Sequence, residues 1–446
     1  MKKYNFALFL AILAFLALSC DPVIDNPIGT KKLGSLGTDA EHFVFVSIGT
    51  SITAGGSDQA IIPQVQTYSS YPYLIAKQIG IPNFVQPNVQ EPGIGNRIYL
   101  KGISENGFPI TEIKLVQGQV TNLNHPTPFN NLGIYAAVAN DFIDTSDFQQ
   151  RTIKYENPFY MVVLRNQELG KSVVDQAIAL NPNLITLELG VNDYLWYALY
   201  GGTKSTFGMP DNPIPTPTQV YEAIMTAGLT KLTTALPNAK IILFNLPDPI
   251  PTPFFNTVPW NALVIDQATA DMLNQAYSAL GFKFKPGANG FVAESPKSPF
   301  GLRQLTQNDY ITFLIPQDSL KAGWGSRKPI PNAYVLDSIE VLVVKNTINE
   351  YNDVINKLKN MSNNIYIFDI NKLFYDIANN GYTVPGASTM NTKFISGMFF
   401  SLDGVHPTAR GYGALANEVI KFLNKTFGSD IPLVDLQLLS PNIISH

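Results

Sequence analysis

Apolar residues in this chain come as short unbroken runs rather than in strict alternation. Residues 43–49, 184–189, 240–245 and 364–370 each read as a strand with apolar side chains on both faces. Between and after them, 73–79, 167–180, 219–236, 335–359 and 411–427 carry apolar positions at helical spacing, with Leu415, Val419 and Phe422 on one face of the last. Strand and helix therefore alternate, which predicts an α/β fold, a mainly parallel sheet covered by helices on both faces in three layers. In such sheets ligands gather beyond the carboxyl ends of the strands. Two of the runs end there in polar words, Gly49-Thr50-Ser51 and Gly190-Val191-Asn192-Asp193.

Three stretches break the alternation: 84–165, rich in Gly, Pro, Asn and Gln; 200–218, with Pro210, Pro213, Pro215 and Pro217; and 248–334, turn-rich around a helix near 266–280. Loops this long inside a domain are usually functional. They are expected to be walls and a lid over a site, with the main insertions at 84–165 and 248–334 of one domain spanning 40–430, followed by a tail at 431–446. The length of 446 residues exceeds the ~250–300 at which a single core stops growing, in keeping with a large domain that carries insertions.

Composition adds exclusions. With 45% hydrophobic and 14% charged residues the chain has ample core material and is not disordered, and a net charge of −4 offers no polybasic field for nucleic acid. The opening residues run from Lys2 and Lys3 through an apolar stretch, 6–18, to Ser19-Cys20, a secretory leader too short to span a bilayer. Cys20 is the only cysteine, so the rest of the chain has neither disulfide nor thiol nucleophile. The Gly-, Pro- and Asp-containing segment 21–39 reads as a tether.

The candidate chemistry sits in Ser401-Leu402-Asp403-Gly404-Val405-His406-Pro407, where a carboxylate precedes an imidazole by three residues in a short polar turn. A serine hydroxyl is a weak nucleophile and needs such a base, itself oriented by a third group. Ser51 could supply the hydroxyl. Taken alone each residue has a plainer role: Ser51 a helix cap, Asn192 and Asp193 a strand-to-helix cap, His406 a turn residue. Of the other three histidines, His42 flanks the first strand, His125 lies in a Pro-flanked loop and His446 is the last residue. One suitably placed histidine is too few for a dinuclear metal centre, so no metal or other cofactor is expected.

In chain order, the Gly-Thr-Ser, Gly-x-Asn-Asp and Asp-x-x-His blocks resemble the SGNH (GDSL-type) hydrolases over about 43–427, and 126–133 and 400–408 resemble a bacterial lipoprotein branch of that family. The resemblance implies a flavodoxin-like arrangement of the sheet and hydrolysis of carboxylic esters, as an esterase or lipase, through an acyl-enzyme on Ser51, with His406 as base and Asp403 as its partner. It also implies an oxyanion hole from the backbone N–H groups of Ser51 and Ala136 and the side-chain amide of Asn192. Ala136 stands where the family has glycine, Thr50 where it has an acid, and Ile52 where it has leucine; Gly95 is an alternative to Ala136. Thr53 replaces the last glycine of a Gly-x-Ser-x-Gly elbow, against an α/β-hydrolase. The end of the leader is similar to a lipobox, making Cys20 a lipidated residue that anchors the protein to a membrane of the cell envelope, with Ala17 as a departure. Expected substrates are small-molecule or polysaccharide esters. Tyr194, Trp196, Tyr197 and Tyr200 are either core or the floor of a pocket. The rival functions are O-deacetylation of carbohydrate by the same mechanism, and binding at the surface without catalysis.

Overall fold

A computed structural model describes residues 33–37, 40–103, 109–203 and 214–441. The leader, Cys20, most of the tether, the center of the proline stretch and His446 lie outside the described residues. Five strands form the central sheet: β1 (Phe45–Gly49), β2 (Asn131–Gly133), β3 (Leu184–Glu188), β4 (Lys240–Phe244) and β5 (Ile365–Phe368). Their spatial order is β5-β4-β3-β1-β2, and every pair is parallel, as in flavodoxin-like sheets. The order reverses between β1 and β3, so the crevice of the sheet opens where those two strands end.

Six helices position the sheet: α1 (Tyr71–Ile79), α2 (Val173–Ala179), α3 (Asn192–Leu199), α4 (Thr218–Ala235), α5 (Ser338–Leu358) and α6 (Ala409–Phe427). Alternate strand residues point to opposite layers. Val46, Ile48, Ile185, Leu187, Ile241 and Leu243 share one buried cluster with Val174 of α2, Leu229 of α4 and Val344 of α5. On the opposite face, the ring of Phe244 meets Tyr71 of α1 at 5.6 Å and Phe368 at 4.8 Å, and Phe368 meets Phe422 of α6. Both faces are covered, which is why these strands read as continuous apolar runs.

Several boundaries differ from the periodicity. The run 167–180 is broken: Gly170 takes φ 134° and Ser172 caps a helix that begins only at Val173, its Oγ accepting from the Asp175 N–H. The segment 84–165 is not all loop. It holds β2, two short helices and a two-stranded ribbon, Ile94–Ile103 paired antiparallel with Pro109–Gln117. The segment 248–334 contains short antiparallel strand pairs and a small apolar cluster of its own, including Phe291, Leu305, Ile315 and Ile330. In the stretch read as a tether, Leu33 and Leu36 are buried, and Ser35 Oγ donates to the carbonyl of Phe427. Residues 431–441 likewise pack on α6, with Arg410 Nε donating to the carbonyls of Leu436 and Leu439. Among the described residues no helix is long and apolar enough to cross a membrane.

Candidate active site

Ser51 stands two residues past β1, after Thr50, and opens a single helical turn, Ser51–Ala54, placing its side chain over the carboxyl edge of the sheet. The turn lies so close to its neighbours that two glycines are required. A Cβ on Gly49 would sit 2.1 Å from Thr53 Oγ1, and one on Gly133 2.3 Å from the backbone nitrogen of Ala54. Beneath it, Glu188 at the end of β3 ties the turn down. Its Oε2 accepts the Thr50 N–H at 3.0 Å and the Thr53 hydroxyl at 3.2 Å, and the Thr50 hydroxyl donates to the same carboxylate.

His406 reaches Ser51 from the other end of the chain. Its Nε2 is 2.8 Å from Ser51 Oγ and its Nδ1 is 2.7 Å from Asp403 Oδ2. The three-residue spacing works because Asp403 Oδ1 also accepts the backbone N–H groups of Val405 and His406, at 2.9 and 2.8 Å. The carboxylate that faces the ring thus also folds the turn that carries it. Gly404 takes φ 70° within this turn, and a Cβ there would meet Phe254 N at 2.8 Å. Burial pushes the Asp403 pKa up, but the His406 ring and these hydrogen bonds outweigh it and hold the carboxyl below its ordinary value.

Asn192 begins α3 just beyond β3, and its Nδ2 donates one hydrogen to the carbonyl of Ala137 at 2.7 Å. The second amide hydrogen is left for the cleft. Ala136 lines the same cleft with φ 62°, the left-handed conformation that suits the glycine expected there. The backbone N–H groups of Ala136 and Ser51 make no hydrogen bond among the described residues. Gly95 instead belongs to the ribbon, paired with Ala60 and Val116. His125 faces Thr127 and the ring of Phe129, outside the lining of the cleft. Of the four aromatics after Asn192, Trp196 and Tyr200 stack and line the cleft, whereas Tyr194 is buried with its hydroxyl on the carbonyl of Pro247.

Two contributions were not foreseen. Asp58 and Gln59, at φ 52° and 62°, form a left-handed turn whose Gln59 N–H donates to Asp403 Oδ2 at 2.7 Å. Asp58 is buried beside Asp403, its Oδ1 accepting the Leu402 N–H; desolvation and then the neighbouring negative charge raise its pKa from 3.8 to about 7, against the pull of that hydrogen bond. Nothing local in Gly56-Ser57-Asp58-Gln59 signals this. The second is Glu188, a lone carboxylate in an apolar strand and to that extent visible, but its partners lie 135 to 138 residues away. Among the described residues no cluster of three or more His, Cys, Asp and Glu is arranged to hold a metal ion.

The residues 45–334 match the family model described as GDSL-like Lipase/Acylhydrolase, a span that includes Ser51 and Asn192 and ends before Asp403. No curated protein matches the chain. A crystal structure of a candidate GDSL-like lipase from Parabacteroides merdae ATCC 43184 is similar at 15% identity, covering 87% of this chain and 96% of that one with a TM-score of 0.32.

Burial raises the Glu188 pKa from its ordinary 4.5 to about 7, with the Thr50 and Thr53 hydrogen bonds only partly opposing it. The folded state therefore holds a proton that the unfolded chain has lost, and the associated stability is complete below about pH 4.5 and gone by about pH 7. Denaturant unfolding across that window should show Glu188→Gln losing stability less steeply than the parent, by about 1.4 kcal/mol per pH unit. Equal slopes would mean that Glu188 is ionised throughout.

Proposed function

The chain belongs to the GDSL-like lipase/acylhydrolase family, a family of ester hydrolases, and from that premise we propose that it is a serine esterase or lipase that cleaves carboxylic esters through an acyl-enzyme on Ser51. The observation that carries the reading is the 2.8 Å approach of His406 Nε2 to Ser51 Oγ, with Asp403 on the far side of the ring. With Nδ1–H donating to Asp403, Nε2 is left as the acceptor of the serine proton.

Ser51 Oγ attacks the ester carbonyl carbon as His406 takes its proton, and the imidazolium that forms is stabilised by Asp403, which stays ionised. The negative charge that develops on the former carbonyl oxygen is met by the Ser51 and Ala136 N–H groups and the free amide hydrogen of Asn192. Collapse of this intermediate expels the alcohol, which takes the proton from His406. A water molecule then attacks the acyl-enzyme by the same route, releasing the acid and restoring Ser51. Leu195, Leu199, Phe254, Phe313, Leu314 and Val405 give the cleft a mostly apolar wall, suited to the acyl side of the ester. We further propose that Cys20 carries lipid and anchors this domain, 40–430 with its wall-forming insertions, to a membrane of the cell envelope, as the leader sequence suggests.

The protein should hydrolyse p-nitrophenyl butyrate and bind a fluorophosphonate probe covalently, with Ser51→Ala and His406→Ala each abolishing turnover. Full activity in either variant removes the mechanism, and absence of probe labelling in an intact protein favours a binding role instead. Asn192→Ala should keep KM near the parent value while kcat falls by roughly 10²- to 10³-fold. Expressed in a bacterial host with labelled palmitate, the parent should take up label and Cys20→Ser should not; uptake by both would place the lipid elsewhere.

A further inference from the structure

The ribbon Ile94–Ile103/Pro109–Gln117 has two chemically different faces. Its register sets Arg97 opposite Lys114 and Tyr99 opposite Glu112 on one face, and Asn96 opposite Leu115, Ile98 opposite Ile113 and Leu100 opposite Thr111 on the other. On the first face the charged groups around Glu112 pair with one another, and Arg97 pairs with Glu91. Lys101 and Lys114 each lie 3.2 Å from the Glu112 carboxylate, and Arg97 and Lys114 flank the Tyr99 ring.

The second face carries a contiguous apolar patch, Ile98, Ile113 and Leu115, bordered by Asn96 and Thr111, and of these five side chains only Ile98 is buried. Ile98 is buried and forms part of the cleft wall with Ser51, Tyr135 and His406. Its cross-strand partner Ile113 is 55% exposed, and Leu115 beyond it is 68% exposed. Directly opposed residues in an antiparallel pair have Cβ atoms about 4.5–5.5 Å apart and diagonal ones about 7–8 Å. The exposed apolar surface therefore starts one side-chain width from the cleft wall and continues outward with no charged residue between. Ile98 is also held in place relative to the site, since its N–H donates to the carbonyl of Asp58 at 2.9 Å, next to the Gln59 N–H that holds Asp403.

Resting on the hydrolase reading, we propose that this face of the ribbon extends the acyl-binding cleft, and that the substrates are esters of long-chain fatty acids whose distal carbons lie across Ile98, Ile113 and Leu115. Continuity selects this occupant. An acyl chain leaving Ser51 along the apolar wall passes onto Ile98, and its next contacts are the two exposed side chains. Asn96 and Thr111 border the patch, but its three contiguous side chains offer neither charge nor hydrogen bond to a sugar or a polar head group, and their contribution grows with the apolar length of the chain laid on them.

The test compares p-nitrophenyl butyrate with p-nitrophenyl dodecanoate, using the full-length protein and the double variant Ile113→Ser/Leu115→Ser, both positions being exposed and outside the catalytic cleft. The variant should lose roughly tenfold or more in kcat/KM on dodecanoate while staying within about twofold on butyrate. A second pair, Ile113→Leu/Leu115→Ile, which keeps the face apolar, should retain dodecanoate turnover. An unchanged dodecanoate rate in the serine variant, or an equal loss on both esters, overturns the inference and leaves the hydrolase reading intact. A parent protein inert toward both esters overturns the hydrolase reading and this inference together.

Discussion

One buried carboxylate couples the two strand ends on which this site is built. Glu188 closes β3, yet its hydrogen bonds go to Thr50, which precedes the Ser51 turn after β1, and to Thr53 within that turn. Those strands are the neighbours between which the sheet order reverses, so the link spans the mouth of the crevice. A buried acid with no donors around it would cost several kcal/mol, and here each donor comes from the turn being held. The hydroxyl network continues from Thr53 to Tyr71 and from Ser47 to Thr186, joining helix α1 to both strands. Displacing Thr50 would strand the carboxylate, so the position of Ser51 is fixed by the cost of leaving Glu188 unsatisfied.

A second coupling works from the other end of the chain. Asp403 accepts four hydrogen bonds, from the N–H groups of Val405, His406 and Gln59 and from the His406 ring. Three of these donors are backbone, and one belongs to the segment just after the Ser51 turn. The imidazole is thereby oriented by the same polypeptide that carries the hydroxyl. Asp58 sits beside Asp403 without a clash of charges because its raised pKa lets it stay protonated below about pH 7.

How much of this could be read in advance follows from how each part is stabilised. Four of the five central strands were legible because burial on both faces leaves an unbroken apolar record, as in 184–189. The fifth, Asn131–Gly133, was not. It is three residues long and is secured by amide side chains, Asn130 donating to the carbonyl of Phe45 and Asn131 to that of Thr53, so it has no apolar signature. The ribbon reads as loop because its strands mix charged and apolar residues inside a segment rich in Gly, Pro and Asn, and each face is covered only in part, at Arg97 on one and Ile98 on the other, so no simple alternation is enforced. In the site, Ser51, Asn192, Asp403 and His406 each sit in a recognisable word, and the fold brings all four to one cleft. Glu188, Asp58 and Gln59 act across the fold, through partners between 135 and 344 residues distant, and short-range spacing carries no trace of such contacts.

The left-handed alanine at position 136 changes how firmly one wall of the cleft is set. An L-residue in that conformation costs about 1–2 kcal/mol in the folded chain, and the gain that usually comes from narrowing the unfolded chain's freedom is outweighed where φ is positive, as at Ala136. The balance is a net cost, which the surrounding structure has to meet to keep this position in place. Glycine would occupy this basin freely, whereas the methyl group favours leaving it for negative φ, so the amide is held by its neighbours and not by its own preference. The restraints lie on its C-terminal side, where the Ala137 N–H donates to the carbonyl of Ile134 and the Ala137 carbonyl accepts from Asn192, so the amide that supplies one donor of the cleft is kept in a costly conformation by the residue that supplies another.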